Sequence, residues 1–291
     1  DEKKKQKAAK KAKDSYKKAK NNIFERQKSL YSLDGFSTID DSNSMIIDDN
    51  GYMVPRTHKS IDMYVFVYNK DFRLFLGEYA TLAGRCPLIP RYALGIWWYK
   101  DDIYTFDNVR KLVYDFNSHH LPLNVLVMGS NWHIKDPNDL KKFKSGFTFN
   151  RDKLGTLSNF TTFLHERGIR LGLSLDPTEG IHPHEFKYRD YASELGVNDS
   201  QDLPFNVLDT NVIAAYLDKL IMPLYNDNVD FFFLDVRTKD RRVMNALNYY
   251  HYNDYKKFTN TRGMVLARPA SLGALRYPIL YSGETKVSWD T

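Results

Sequence analysis

Between residues 94 and 283 the chain repeats one rhythm, a short uninterrupted apolar run followed by a longer stretch with apolar residues at helical spacing. The runs are LGIWWY (94–99), LNVLVMG (123–129), RLGLSLD (170–176), DFFFLD (230–235), MVLAR (264–268) and PILYSG (278–283). An apolar run without polar alternation reads as a strand covered on both faces, as in a parallel sheet wrapped by helices. Between the runs, Val109, Leu112, Val113 and Phe116 follow a Thr105 cap, and Leu157, Phe160, Phe163 and Leu164 end at Gly168. Ile213, Leu217, Leu220 and Leu224 repeat the spacing, and a further helix is expected near 241–258. Strands alternating with helices predict an α/β fold of the (β/α)8 TIM-barrel type, incomplete, with about six strands over residues 86–291. A doubly wound open sheet is the structural rival, but no G-x-G-x-x-G follows the first run.

The segments before residue 86 differ in kind. A formal net charge of +6 suggests a nucleic-acid partner until its position is considered: residues 1–20 hold ten Lys and three acids, so the rest of the chain is close to neutral. With no Arg and only Tyr16 interleaved in residues 1–20, the segment 1–30 reads as a solvated helical or disordered basic stretch, and no nucleic acid is expected as partner. Residues 31 to about 80 read as strands, with a hairpin signal at Asn50-Gly51 inside MIIDDNGYMV and a second strand in IDMYVFVYN (61–69). The single Cys86 excludes an internal disulfide and suits a reducing, cytoplasmic location. No apolar run reaches the roughly 18 residues of a membrane span. A chain that starts on Asp with no apolar leader reads as a fragment or a processed start.

The apolar runs lead into polar groups: Lys100, Asp101 and Asp102; Asn131, Trp132 and His133; Asp176; Asp235; Arg268; and Glu284. In parallel α/β barrels the loops leaving the carboxyl ends of the strands build the active site. Asp235 and Glu284 form a pair suited to glycoside hydrolysis, one attacking or stabilising the anomeric carbon while the other protonates the leaving oxygen and then takes a proton from water. The alternative roles are a helix cap for Asp235 and a surface loop acid for Glu284. Trp97 reads as barrel packing, Trp98 as packing or a sugar platform, and His133 as a pocket lining. His182 and His184 flank Pro183 beside Glu185, a structural loop rather than a metal site, since a metal needs further convergent ligands.

Several stretches then carry a resemblance. RYALGIWW (91–98), LPLNVLVMGSNWH (121–133), EGIHPHE (179–185), NVDFFFLD (228–235) and LARPASLGALRYPILYSGETKVSW (266–289), in this order and spacing, resemble glycoside hydrolase family 31. LDGFSTIDDSNS (33–44) and DMYVFVYNKDFRLFLGEYATLAG (62–84) resemble the end of that family's N-terminal β-sandwich and its link into the barrel, which assigns residues 31–85 to that part. The resemblance implies a retaining α-glycosidase of α-glucosidase or α-xylosidase type, working through a covalent glycosyl-Asp intermediate without metal or organic cofactor. It implies Asp235 as nucleophile and Glu284 as general acid/base, with Arg268 and Trp289 on the sugar; Trp98, His133 and Asp176 join them as candidate substrate contacts. The partner would be an oligosaccharide or other α-glycoside, with oligomeric state open.

The departures from the family pattern are specific. Glu284 stands where relatives have Asp, and Gly129 and Asn131 lie where relatives commonly carry two Asp. Asp176 replaces a His, the residues after Asp235 read VRT, and Pro269 follows Arg268. These substitutions frame the alternative, a relative that binds carbohydrate without cleaving it.

Overall fold

A computed structural model describes residues 30–136, 145–198, 201–236, 238, 240–268 and 272–281. The Lys-rich segment, Glu284 and Trp289 lie outside these residues. The chain divides into two compact units, one holding residues 30–43 and 58–82, the other 44–57 and the described residues from 83 onward.

In the first unit, β1 (Phe36–Asp40) pairs antiparallel with β4 (Met63–Val67) in the register Phe36 to Val67. The helix α1 (Phe72–Ala83) follows, in a segment whose sequence reads as strand. Its apolar residues recur at helical spacing, and buried Phe75 and Tyr79 stack with ring centroids 6.1 Å apart. The exposed Leu74 and Leu76 blur that stripe in the sequence.

In the second unit, β2 (Ile46–Ile47) and β3 (Met53–Val54) form the hairpin expected around Asn50-Gly51, with Gly51 at φ 84°. It groups with the barrel residues because the amide of Met53 donates to the Tyr250 hydroxyl (2.8 Å) and the Tyr249 hydroxyl donates to the Gly51 carbonyl (2.9 Å). The barrel strands are β5 (Trp97–Lys100), β6 (Val125–Met128), β7 (Arg170–Leu175), β8 (Phe231–Leu234) and β9 (Val265–Ala267). They pair in parallel in sequence order, each joined to the next by a connection that contains helix. Where a sixth strand is expected, the described residues show a parallel bridge from Ala267 to Leu280.

The helices are α2 (Phe106–Ser118), α3 (Arg151–Leu154), α4 (Leu157–His165), α5 (Tyr188–Glu194), α6 (Thr210–Ala215), α7 (Met222–Asn226) and α8 (Arg241–Thr259). Thr105 caps α2 in a reciprocal box with Asn108, as its position before the apolar stripe predicts. Between α6 and α7 one π-helical segment, Tyr216–Ile221, leads into Pro223, whose ring and missing N–H disfavour a continuous α-helix. Below β8, the buried Asp230 carboxylate takes bonds from His165 (2.7 Å), the Leu171 amide (2.8 Å) and Arg170 (3.3 Å), tying the start of β8 to β7 and α4.

His251 on α8 is fully buried against Phe232, its Nε2 sharing a 2.8 Å hydrogen bond with the Tyr216 hydroxyl. Burial pushes its pKa down from 6.5 to about 3. The unfolded chain therefore takes up a proton below pH 6.5 that the folded chain refuses, so stability falls as pH drops through this window toward 3. The slope is about 1.4 kcal/mol per pH unit. Urea titrations at pH 7 and pH 5 are expected to show a loss of about 2 kcal/mol from this group, and His251→Phe should remove that part of the dependence. Equal pH dependence in the two proteins would overturn the assignment.

Candidate active site

Side chains on a strand alternate between the two faces of the sheet, here the barrel interior and the helix layer. Trp97, Val125, Val127, Phe231, Phe233, Met264, Leu266, Ile279 and Tyr281 form the interior cluster, while Leu126, Leu171, Leu173, Phe232 and Leu234 pack against the helices. The interior aromatics meet in two layers. Trp97 and Phe231 lie 5.4 Å apart in the lower layer; above them Tyr99 meets Phe233 edge-on at 5.7 Å and Phe233 meets Tyr281 at 5.3 Å. The same alternation, carried one step past the upper layer, brings Asp101, Gly129, Asp176, Asp235 and Arg268 to the C-terminal mouth.

Asp235 and Arg268 are held together there. Arg268 donates from Nε (3.1 Å) and Nη2 (2.9 Å) to the same oxygen, Oδ1 of Asp235, and its guanidinium lies 5.3 Å from the centre of the Tyr281 ring. The side chains are only 17% and 28% exposed, so this charge-assisted pair orients the carboxylate with little competition from water. Asp176 also stands at the mouth, with Oδ1 accepting from the amide (3.1 Å) and hydroxyl (2.6 Å) of Thr178, so it caps the turn that follows β7.

Two expected substrate contacts are placed elsewhere. Trp98 faces the helix layer, its Nε1 donating to the Tyr104 hydroxyl at 3.0 Å and its ring edge-on to Phe116; with Trp97 turned inward, strand alternation turns Trp98 out. His133 is buried at 2% exposure against Trp132 and Gly146, with its Nδ1 2.8 Å from the Ile134 carbonyl, so it packs beneath the returning chain instead of lining an open mouth. In this structure neither Trp98 nor His133 stands beside Asp235 and Arg268.

Further charged groups pack around the strand ends. The Glu185 carboxylate accepts from the Phe147 amide (3.2 Å) and the Thr148 hydroxyl (2.5 Å), pinning residues 145–149 over the third strand end. Burial pushes this carboxyl up, against those bonds and the Lys135 charge. Burial pushes the Lys135 ammonium down, opposed by the charges of Asp101, Glu179 and Glu185. Asp101 bends over Gly129 so closely that a methyl group there would lie 2.9 Å from its Cα and 3.0 Å from its Cγ and would overlap its Oδ1. Asp101 is visible in the sequence as one of three polar residues after the first run, and its two-residue offset from Tyr99 turns it to the interior side; the Lys135 and Glu185 neighbourhood has no local sequence signal. Among the described residues, no group of three or more His, Cys, Asp or Glu could hold a metal ion; His182 instead pairs with Asp202 at 3.1 Å and stacks on His184.

The described family whose pattern this chain matches is the Glycosyl hydrolases family 31 TIM-barrel domain, over residues 86–291. The chain belongs to glycoside hydrolase family 31. It is 24% identical over 260 residues to an α-xylosidase of Saccharolobus solfataricus, covering 80% of this chain and 34% of that protein. It is 26% identical over 273 residues to α-glucosidase 2 of Bacillus thermoamyloliquefaciens, covering 79% and 33%. Among solved structures, the Flavobacterium johnsoniae family 31 dextranase superimposes with a TM-score of 0.60 at 17% identity, covering 77% of this chain and 31% of that one. A family 31 α-xylosidase from a soil metagenome gives 0.58 at 16%, covering 84% and 40%. These structural likenesses concern the fold, which is the family 31 barrel with its five described parallel strands. The chain spans about a third of the length of the curated relatives it matches.

Proposed function

We propose that the full-length protein is a retaining α-glycosidase that hydrolyses terminal α-linked sugars of glucoside or xyloside type. The observation that carries this reading is the Asp235 carboxylate, oriented by Arg268 at the C-terminal mouth of the barrel above an aromatic floor. In the first step a carboxylate oxygen of Asp235 attacks the anomeric carbon while Glu284 gives its proton to the leaving glycosidic oxygen, and that carbon–oxygen bond breaks. In the second step Glu284, now a carboxylate, takes a proton from water as the water oxygen displaces Asp235, which restores both groups and the original anomeric configuration. Arg268 can also donate to sugar hydroxyls, and Trp289 is assigned to the sugar on the family resemblance. The two curated relatives are an α-xylosidase and an α-glucosidase, which supports the bond class and leaves the sugar open between hexose and pentose.

A second reading is a carbohydrate-binding relative without chemistry, favoured by Gly129, Asn131 and Glu284 standing where relatives carry Asp. A panel of aryl α-glycosides, assayed with wild type and Glu284→Gln, separates the two. Turnover that releases the α-anomer and collapses in Glu284→Gln supports the hydrolase, whereas sugar binding with no turnover by a folded wild type supports the second reading. Removing residues 1–20 is expected to leave kcat/KM unchanged; an equal collapse there would overturn the accessory reading of the Lys-rich segment.

A further inference from the structure

Gly129 ends the second barrel strand on the interior side, where its own side chain would reach into the mouth, and it has none. That space is filled from the neighbouring strand. β5 and β6 pair Lys100 with Met128, so the next residues, Asp101 and Gly129, are neighbours across the sheet. The Asp101 side chain leans into the volume that a Cβ at 129 would need. Tyr99, two residues below Asp101, touches Phe233, two residues below Asp235. The two carboxylates therefore rise from opposite sides of one ring contact and face the same mouth. Asp101 is exposed there, whereas Asp235 is largely covered and engaged by Arg268.

We infer that Asp101 is a substrate-binding carboxylate of this site, a specificity residue delivered by β5 into the space left by the missing side chain at Gly129. An exposed carboxylate at such a position accepts hydrogen bonds from two hydroxyls on adjacent carbons of a sugar ring resting above Tyr99 and Phe233, a contact of the stronger, charge-assisted kind. Gly129 is then part of the device: any side chain there displaces Asp101. Gly129 itself is extended, at φ −68° and ψ −173°, so a substitution acts through Asp101 and not through backbone strain. The inference rests on the mouth being a sugar site.

The test uses the full-length protein and four variants: Asp101→Asn, Asp101→Ala, Gly129→Ala and the double variant Asp101→Ala/Gly129→Asp. Calorimetry gives Kd for glucose and xylose, kcat and KM are measured on aryl α-glucoside and α-xyloside, and thermal midpoints check folding. Asp101→Asn and Asp101→Ala are expected to weaken sugar binding and lower kcat/KM by roughly 10- to 100-fold, the loss of a charged hydrogen-bond acceptor, at unchanged thermal midpoint. Gly129→Ala should reproduce much of that loss although it removes no charge. The double variant should recover part of the activity relative to Asp101→Ala: it returns a carboxylate to the same space, at the cost of a small shift of the residue-101 backbone, whose Cα lies 2.9 Å from a Cβ at 129. Kd and kcat/KM unchanged in Asp101→Asn would overturn the inference. A wild type that binds sugar without cleaving it, with binding lost in Asp101→Asn, would keep the inference and overturn the hydrolase reading. A wild type that neither binds nor cleaves would overturn both.

Discussion

Asp235→Asn in the full-length protein is expected to lower kcat/KM on aryl α-glycosides by at least about 10³-fold, as loss of a covalent nucleophile does. The barrel should remain folded. The amide keeps the shape of the carboxylate and its oxygen can still accept from Arg268, so the stability cost is that of a weakened charge-assisted bond, about 1–2 kcal/mol for this mostly covered pair. A residue that merely positions Arg268 would show a smaller loss, and a second variant distinguishes the roles. Asp235→Gly opens space beneath the anomeric carbon, where added azide can attack an aryl α-glycoside, form the carbon–nitrogen bond and expel the phenolate. The expected product is the β-glycosyl azide, inverted at the anomeric centre. Azide without effect, together with wild-type-like turnover in Asp235→Asn, would remove Asp235 from the chemistry.

Gly172→Val is expected to destabilise the barrel by about 3 kcal/mol or more, through overpacking of a closed interior. Gly172 sits on β7 between Val127 and Phe231 in the sheet register. A Cβ at this position would run into the Phe231 ring, which is fully buried and held from another side by Trp97. Two large side chains cannot share this layer, and the missing side chain of Gly172 is what admits the Phe231 ring. Gly168, with φ 71° and nothing near its Cβ position, is the contrast: Gly168→Ala is expected to cost only about 1 kcal/mol, from the left-handed backbone. Phe231→Leu added to Gly172→Val should recover part of the loss. Denaturant midpoints measure all four proteins, and a Gly172→Val midpoint equal to wild type would contradict the packing described.

How much of this was legible in the sequence follows from what is local. The barrel strands could be read because both faces of each are covered, leaving runs such as FFFL with no polar residue. Asp235 and Arg268 could be read because each closes such a run. Phase within a run was harder: Trp97 and Trp98 are equally apolar, and only the contact of Trp97 with Phe231 on a distant strand shows which of them turns inward. The placement of His133 is illegible for a related reason. Its cover comes from residues 145–149, which Glu185 pins through bonds spanning 37 and 38 positions, and no local pattern encodes that closure. Asp101 was visible as one of three polar residues at the end of β5; its sheet neighbour Gly129 and the ring contact two residues below single it out. Glu284 and Trp289 lie outside the described residues and are assigned on the family resemblance.

Retaining hydrolysis through Asp235 requires a covalent bond from its carboxylate to the sugar. The most direct measurement is inactivation of the full-length protein with a fluorinated α-glycosyl fluoride, followed by intact-mass and peptide mass spectrometry. One sugar adduct per chain is expected, carried by Asp235 and absent in Asp235→Asn. An adduct on a different carboxylate, or turnover that proceeds with inversion and leaves no adduct, would contradict it.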